Sequence, residues 1–204
     1  MGALLIAALL FRRDNRNANL LLCLILAAAL LYQYSQMDRL LNPLPAPAYI
    51  WGTGFVVSLL IPTLVFLYVL VLTVPGFRWR SSLLVHFIPA LVGLGVVAFA
   101  KLVLMRYAFA YDPDFRAWFR FFCIVFDVII SGLYFFASYR QIQDYRSQME
   151  LFFSQLRRVR LQWLRILLLI VVLPWLIQVF DVLSGPSVRL EYIMVPLITA
   201  LFLL

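Results

Sequence analysis

Five stretches of this 204-residue chain are apolar, nearly free of charge and long enough to cross a membrane as helices. A helix rises about 1.5 Å per residue, so about 20 apolar residues span a hydrocarbon core of about 30 Å. Hydrophobic residues make up 65% of the chain and charged residues 13%, too much apolar surface for a soluble globule to cover. The sequence therefore predicts an all-α, polytopic membrane helix bundle. The five stretches are Ala18 to Gln36, Tyr49 to Val74, Ser82 to Ala100, Ala117 to Ser138 and Leu161 to Phe180.

Two shorter apolar stretches lie at the ends of the chain, Met1 to Phe11 and Tyr192 to Leu204. As helices they reach only about 16 and 20 Å, which is too short to span. The N-terminal stretch lacks the preceding basic region and the following cleavage site of a signal peptide. We therefore expect a single module over residues 1–204, with about seven transmembrane helices of which the first and last are truncated.

Basic residues indicate the orientation, because Lys and Arg in short loops resist translocation. Ten of them fall in the first, third and fifth connections and five in the others, so we expect the N-terminus outside and the C-terminus in the cytoplasm. The net charge of +8 then needs no partner beyond a bilayer with anionic headgroups. The ten are Arg12, Arg13, Arg16, Arg78, Arg80, Arg140, Arg146, Arg157, Arg158 and Arg160, and the five are Arg39, Lys101, Arg106, Arg116 and Arg189.

The residues that most often carry catalysis or bind metals are scarce. Cys23 and Cys123 fall inside predicted spans without a CxxC motif, and His86 is the single histidine. No metal-ligand spacing, phosphate-binding glycine loop or catalytic triad can be assembled from them. The sequence predicts no cofactor, no metal and no enzymatic activity.

The polar residues within the spans are concentrated in Ala117 to Ser138, which is the fifth of the seven predicted spans when the short N-terminal stretch is counted as the first. Its polar residues follow one another at steps of three or four, so they share one helix face. An ionised Asp127 near the bilayer centre would cost about 2.5 to 3.5 kcal/mol, so this face should look into the bundle. It either lines a cavity that senses a small ligand or a proton, or fastens helices together. The face comprises Arg120, Cys123, Asp127, Ser131, Tyr134 and Ser138.

His86 opens the fourth span at its predicted cytoplasmic edge, three residues before Pro89. Such a histidine either bonds a neighbouring helix end or takes part in gating. A proline within or near the start of a span kinks or begins the helix and frees a carbonyl. The candidate sensing residues are Asp127, Arg120, Ser131, Tyr134 and His86.

A charged connector, residues 139–160, lies between the stretches Ala117 to Ser138 and Leu161 to Phe180, the fifth and sixth of the seven predicted spans. Its apolar residues recur at three and four positions, without proline or glycine between Gly132 and Pro174. We expect a helix that leaves the fifth span or lies along the membrane surface, where its arginines meet anionic lipid. Pairing with a second copy in a coiled coil is the alternative. The seam is Ile142, Tyr145, Met149, Phe152, Leu156, Val159 and Trp163.

Three blocks resemble the N-terminal membrane module of bacterial membrane-bound AraC-type transcription regulators. They read "LVFLYVLVLTVPGFRWR" from Leu64, "LVHFIPALV" from Leu84 and "LFFSQLRRVRLQWLRILLL" from Leu151. Similar modules precede some sensor histidine kinases. The family often has an arginine where Leu72 stands here, which is a departure. The matching residues are Tyr68, Thr73, His86, Pro89, Ser154, Leu161, Trp163 and Leu164.

The resemblance implies a signal-input module in the bacterial inner membrane that responds to an unknown small ligand. A second copy of the chain, forming a homodimer, is a candidate partner. The family's helix-turn-helix units follow the last span and are absent from these residues, so the chain itself should bind no nucleic acid. Arg157, Arg158, Arg160 and Trp163 would belong to the signal connector. The alternative is a small transporter or carrier that uses the polar face around Asp127, although no inverted repeat is visible.

Overall fold

A computed structural model describes residues 15–41, 48–74, 76–100 and 113–150, together with eight positions between 168 and 180. This part of the chain is helical apart from short turns. Four α-helices and one 3₁₀ segment follow in order: α1 is Arg16–Leu41, α2 is Ala48–Thr73, the 3₁₀ segment is Ser81–Phe87, α3 is Ile88–Phe99, and α4 is Pro113–Glu150.

Four helical segments are long and apolar enough to cross a membrane, which confirms the helical membrane class. They coincide with the first four long windows of the sequence. Most of the fifth, Leu161 to Phe180, and both end stretches, Met1 to Phe11 and Tyr192 to Leu204, lie outside the described residues. The four segments are Arg16–Ser35, Thr53–Thr73, Ser81–Phe99 and Phe121–Tyr145.

Helix α2 lies at the centre of the described bundle and packs against α1, α3 and α4. It carries no charged residue, and Leu59, Val65, Leu67 and Val69 are fully buried. A helix that is apolar on all sides is typical of a position surrounded by other helices. Helix α2 therefore offers contacts to three neighbouring helices on its different sides.

Glycines let two helices approach α2 closely. A Cβ atom on Gly93 of α3 would lie 2.7 Å from Leu59 Cδ1, and one on Gly54 of α2 would lie 2.8 Å from Ser35 Oγ of α1. Small residues at such crossings bring helix backbones together inside membranes.

Helix α4 runs without interruption from Pro113 to Glu150. The predicted span Ala117 to Ser138 and the first twelve residues of the connector, 139–150, therefore form one helix. This agrees with the absence of proline and glycine after Gly132 and with a helix that leaves the span directly.

The fourth span is not a single α-helix. Its first seven residues, Ser81–Phe87, are 3₁₀ and only the remainder is α-helical. Pro89 explains the change, because in an α-helix the Val85 carbonyl would need the N–H of residue 89, and proline has none. Val85 O instead accepts from the N–H of Ile88, three residues on.

The two glycines of α3 provide a matched test of this packing. We expect Gly93→Ala to destabilise the bundle by about 1–3 kcal/mol, because the added methyl would force Leu59 Cδ1 to shift within a fully buried environment. Gly95→Ala meets nothing within 4 Å and should be neutral or stabilising by about 0.4–1 kcal/mol. Unfolding in detergent followed by circular dichroism measures both. Equal effects of the two substitutions would contradict the close approach.

Candidate functional site

The backbone carbonyl of His86 is the meeting point of three helical elements. The Tyr134 hydroxyl of α4 donates to it at 3.1 Å. The Thr63 hydroxyl of α2 lies 3.3 Å from the same oxygen and 3.3 Å from Leu59 O within its own helix. We call the group Thr63, His86 and Tyr134 the His86 junction.

Pro89 explains why the His86 carbonyl accepts bonds from other helices. In a 3₁₀ helix the donor for His86 O would be the N–H of residue 89, which proline lacks. A carbonyl without a donor in an apolar setting is costly, so hydroxyls on neighbouring helices are favourable partners. The proline three residues after the histidine thus creates the acceptor that the His86 junction uses.

Three aromatic rings pack around this carbonyl. Phe66 of α2 meets His86 edge to face, with 5.1 Å between the ring centres, and Tyr134 lies 5.8 Å from Phe66. The His86 ring and the Tyr134 ring are 5.9 Å apart and T-shaped. His86 Nδ1 lies 3.4 Å from the Tyr134 hydroxyl oxygen, so a proton on Nδ1 would continue the hydrogen-bond chain into the carbonyl.

Asp127 lies on the same helix as Tyr134, two turns nearer the N-terminus of α4. Its side chain is 2% exposed, and the Ser131 hydroxyl donates to Asp127 Oδ1 at 3.2 Å. Cys123 and Ser138 are also buried, as the predicted polar face requires. The seven residues from Asp127 to Tyr134 rise about 10 Å, so the polar face holds two separate groups.

The predicted sensing residues are therefore divided. Asp127 pairs with Ser131, and Tyr134 pairs with His86, as the hydrogen bonds show. Arg120 lies in the backbone of α4 two turns before Asp127, and its side chain is outside the described part of the structure. The signal-connector residues Arg157, Arg158, Arg160 and Trp163 also lie outside the described residues.

A second contact joins α4 to α2 close to the end of α2. Gln141 Nε2 donates to Thr73 Oγ1 at 3.2 Å, and the Thr73 hydroxyl donates to Val69 O at 2.8 Å. Ile142, the next residue of α4 and the first of the predicted seam, is buried in the hydrophobic core. The first residue of the seam therefore packs within this chain. Of the remaining seam residues, only the Tyr145 side chain is described, and it is half-buried.

Trp175 fixes a further segment against α4. Its indole N–H donates to Val128 O at 3.2 Å, and its ring lies edge to face on Phe135, with 5.8 Å between ring centres. A Cβ atom on Gly132 would lie 3.1 Å from the indole, so glycine leaves room for the ring. Trp175 belongs to the predicted span Leu161 to Phe180, and its contacts on α4 each lie one residue from a member of the polar face.

Sequence reasoning missed Thr63, Phe66, Gln141 and Trp175. Thr63 follows Pro62 directly within an apolar span, and this was the available signal. Phe66 and Gln141 each contact a partner 68 residues away, and such a pairing cannot be assigned without knowledge of the packing.

No family model, curated protein or solved structure matches this chain. Within the described ranges, no three His, Cys, Asp or Glu side chains lie close enough to hold a metal ion. The described site contains two hydrogen-bonded groups: Ser131 donates to Asp127 within α4, and the His86 junction joins separate helical elements.

A double-mutant cycle tests the His86 junction. Thr63→Val and Tyr134→Phe should each destabilise the protein by about 1 kcal/mol, since the other hydroxyl still reaches the carbonyl. The double variant leaves the carbonyl with neither hydroxyl and should lose at least about 0.5 kcal/mol more than the sum. Unfolding in detergent provides the free energies.

The control cycle pairs Thr63→Val with Tyr139→Phe. Tyr139 is exposed on the same helix, and its hydroxyl oxygen accepts from Gln143. Those two changes should add to within about 0.3 kcal/mol. Additivity in both cycles would disprove a shared acceptor at His86.

Proposed function

We propose that this chain is the signal-input module of a membrane-bound regulator of transcription, resembling the AraC type. The polar residues of α4 receive a stimulus, a small ligand or a change in the membrane. Helix α4 then carries the resulting shift to a cytoplasmic output. In this proposal the bundle has about seven spans, the N-terminus is outside, and the module lies in a bacterial inner membrane.

The observation that carries the proposal is the continuity of α4. One helix holds Asp127 and Tyr134 among its buried contacts and continues to Glu150 through residues that are increasingly polar. A packed helix moves as a unit, because its backbone bonds are satisfied internally. A change of packing at Tyr134 would therefore displace the connector at its base.

Two hydrogen bonds from α4, one to the 3₁₀ segment and one to α2, supply a reference for that movement. Tyr134 donates to His86 O and Gln141 donates to Thr73, and the two donors are seven residues, about 10 Å, apart along α4. A ligand shifts such an element only if it binds one arrangement more tightly than the other. Both contacts are single hydrogen bonds between helices, so modest binding energies are sufficient to exchange them.

A transporter is the second candidate, and the burial of Asp127 favours it. Carboxylates inside membranes often line ion or proton pathways. The same burial also suits an aspartate that holds helices together. Its bond to Ser131 lies within α4.

The deciding experiment uses the complete reading frame to which this chain belongs. The gene is deleted and restored, and the transcripts of the cell are compared, while vesicles containing the protein are tested for uptake of ions and small solutes. Transcript changes without uptake support the input module. Uptake without transcript changes supports the transporter, and a reading frame without a helix-turn-helix or kinase sequence would remove the regulator proposal.

The connector contact provides a matched pair of variants. Gln141→Ala removes the bond to Thr73 and should shift the ratio of two signalling states about fivefold, the equivalent of one hydrogen bond. Gln143→Ala removes only a bond to exposed Tyr139 in the same helix and should leave the output unchanged. Reporter transcription in cells measures both. Identical output from the two variants would contradict a role for α4 in transmission.

Asp127→Asn separates sensing from fastening. Asparagine keeps the size of the side chain and can still accept from Ser131, so we expect the free energy of unfolding to fall by no more than about 1 kcal/mol. If the carboxylate senses a proton or a cation, the dependence of reporter output on pH or on that cation disappears. An unchanged response in a folded variant would assign Asp127 to fastening alone.

A further inference from the structure

The 3₁₀ segment Ser81–Phe87 is unusually long. Runs of 3₁₀ helix beyond three or four residues are uncommon, because their hydrogen bonds are poorer than those of an α-helix. Bonds three residues apart lie at both ends of the segment, from Leu83 N–H to Arg80 O at 2.9 Å and from Ile88 N–H to Val85 O.

Two backbone carbonyls before Pro89 compete for donors. In the 3₁₀ form, Val85 O is paired with the Ile88 N–H, and His86 O would need the missing N–H of Pro89. In an α-helical form the order is reversed, since His86 O would pair with the Ala90 N–H and Val85 O would need Pro89. One carbonyl lacks a backbone donor in either form.

The neighbouring helices decide which form is favoured. Thr63 and Tyr134 both direct hydroxyls at His86 O, the carbonyl that the 3₁₀ form leaves without a backbone donor. They therefore stabilise the 3₁₀ form. The ring of Pro89 opposes the α form as well, because it collides with the carbonyl four residues before it.

We propose that Ser81–Phe87 is a two-state switch between 3₁₀ and α-helix, and that the hydroxyls of Thr63 and Tyr134 hold it in the 3₁₀ state. Loss of one hydroxyl contact weakens the 3₁₀ state and shifts the equilibrium toward an α-helix in which His86 O pairs with the Ala90 N–H. Loss of both contacts shifts it further. The equilibrium couples three elements, because α2 and α4 hold the hydroxyls and the fourth span changes shape.

The change of shape is large for so short a segment. Seven residues at about 2.0 Å become seven at about 1.5 Å, a shortening of about 3.5 Å. The turn per residue falls from about 120° to about 100°, so the start of the segment rotates by about 140° relative to α3. The exposed side chains of Arg78, Trp79 and Arg80 precede it and would move with it. Gly76, at φ +66°, begins the turn that absorbs the change.

This switch is a property of the backbone and does not depend on the proposed function. If the chain is an input module, the switch supplies the two states that α4 reports through Tyr134. A chain that transports, or that only anchors, would contain the same switch.

Distances between spin labels in the full chain test the proposal. Labels are attached at Arg80→Cys and Leu91→Cys, two exposed positions on either side of the segment, after Cys23 and Cys123 are replaced by alanine. In vesicles, Pro89→Ala should move the main distance to a second value, because residue 89 then gives Val85 O its donor and the segment both shortens by about 3.5 Å and turns by about 140°. This variant defines the α state.

The decisive variants lie on other helices. Tyr134→Phe and Thr63→Val, each with Pro89 in place, should raise the population of that second distance about fivefold, the equivalent of one hydrogen bond. Tyr139→Phe, which removes an exposed hydroxyl from the same helix as Tyr134, should leave the distribution unchanged.

The proposal is overturned if folded Tyr134→Phe and Thr63→Val keep the distribution of the unsubstituted chain. It is overturned equally if Pro89→Ala folds and leaves the distance unchanged. If Pro89→Ala does not fold, the two hydroxyl variants decide the matter alone, because both should populate the same second distance and Tyr139→Phe should not.

Discussion

A helix within a bilayer must satisfy its backbone carbonyls internally or from a neighbouring helix, and Pro89 makes the internal solution incomplete. The carbonyls of Val85 and His86 share the shortage of donors. The observed structure pairs the first within the segment and the second with hydroxyls of Thr63 and Tyr134. Because Pro89 has no N–H, the fourth span is bonded to α2 and α4 through the His86 carbonyl, and its first seven residues are 3₁₀.

The contacts of α4 follow a common pattern along its length. The Trp175 indole donates to Val128 O of α4. The Tyr134 hydroxyl donates to His86 O, and the Gln141 amide donates to Thr73 Oγ1. Each contact is a hydrogen bond from a side chain to another helical segment, set within apolar packing. In an apolar medium such bonds specify which helix faces meet, whereas the apolar contacts alone would tolerate many arrangements.

Composition and window length predicted the helical membrane class and four span positions, because the bilayer imposes one length and one polarity on every span. Spacing also predicted that Asp127 and Ser131 share a buried face. Their partners were harder to predict. Thr63 and Phe66 contact His86 from 23 and 20 residues away, and that pairing depends on the rotation of α2 about its axis. To predict the 3₁₀ segment, one would have had to ask which carbonyls lose their N–H donor at Pro89, and the spacing of apolar residues does not give that information.

The sparse burial of α3 has a consequence for how sequences like this one can change. Of its twelve residues only Ala90 and Gly93 are buried, and most of the others are exposed and apolar. Exchanges among leucine, valine and phenylalanine at exposed positions such as Leu91 and Leu94 alter no contact with the described bundle. Substitution should therefore be frequent on the outward side of α3 and rare at Gly93, so variation along this helix would itself show which side meets lipid.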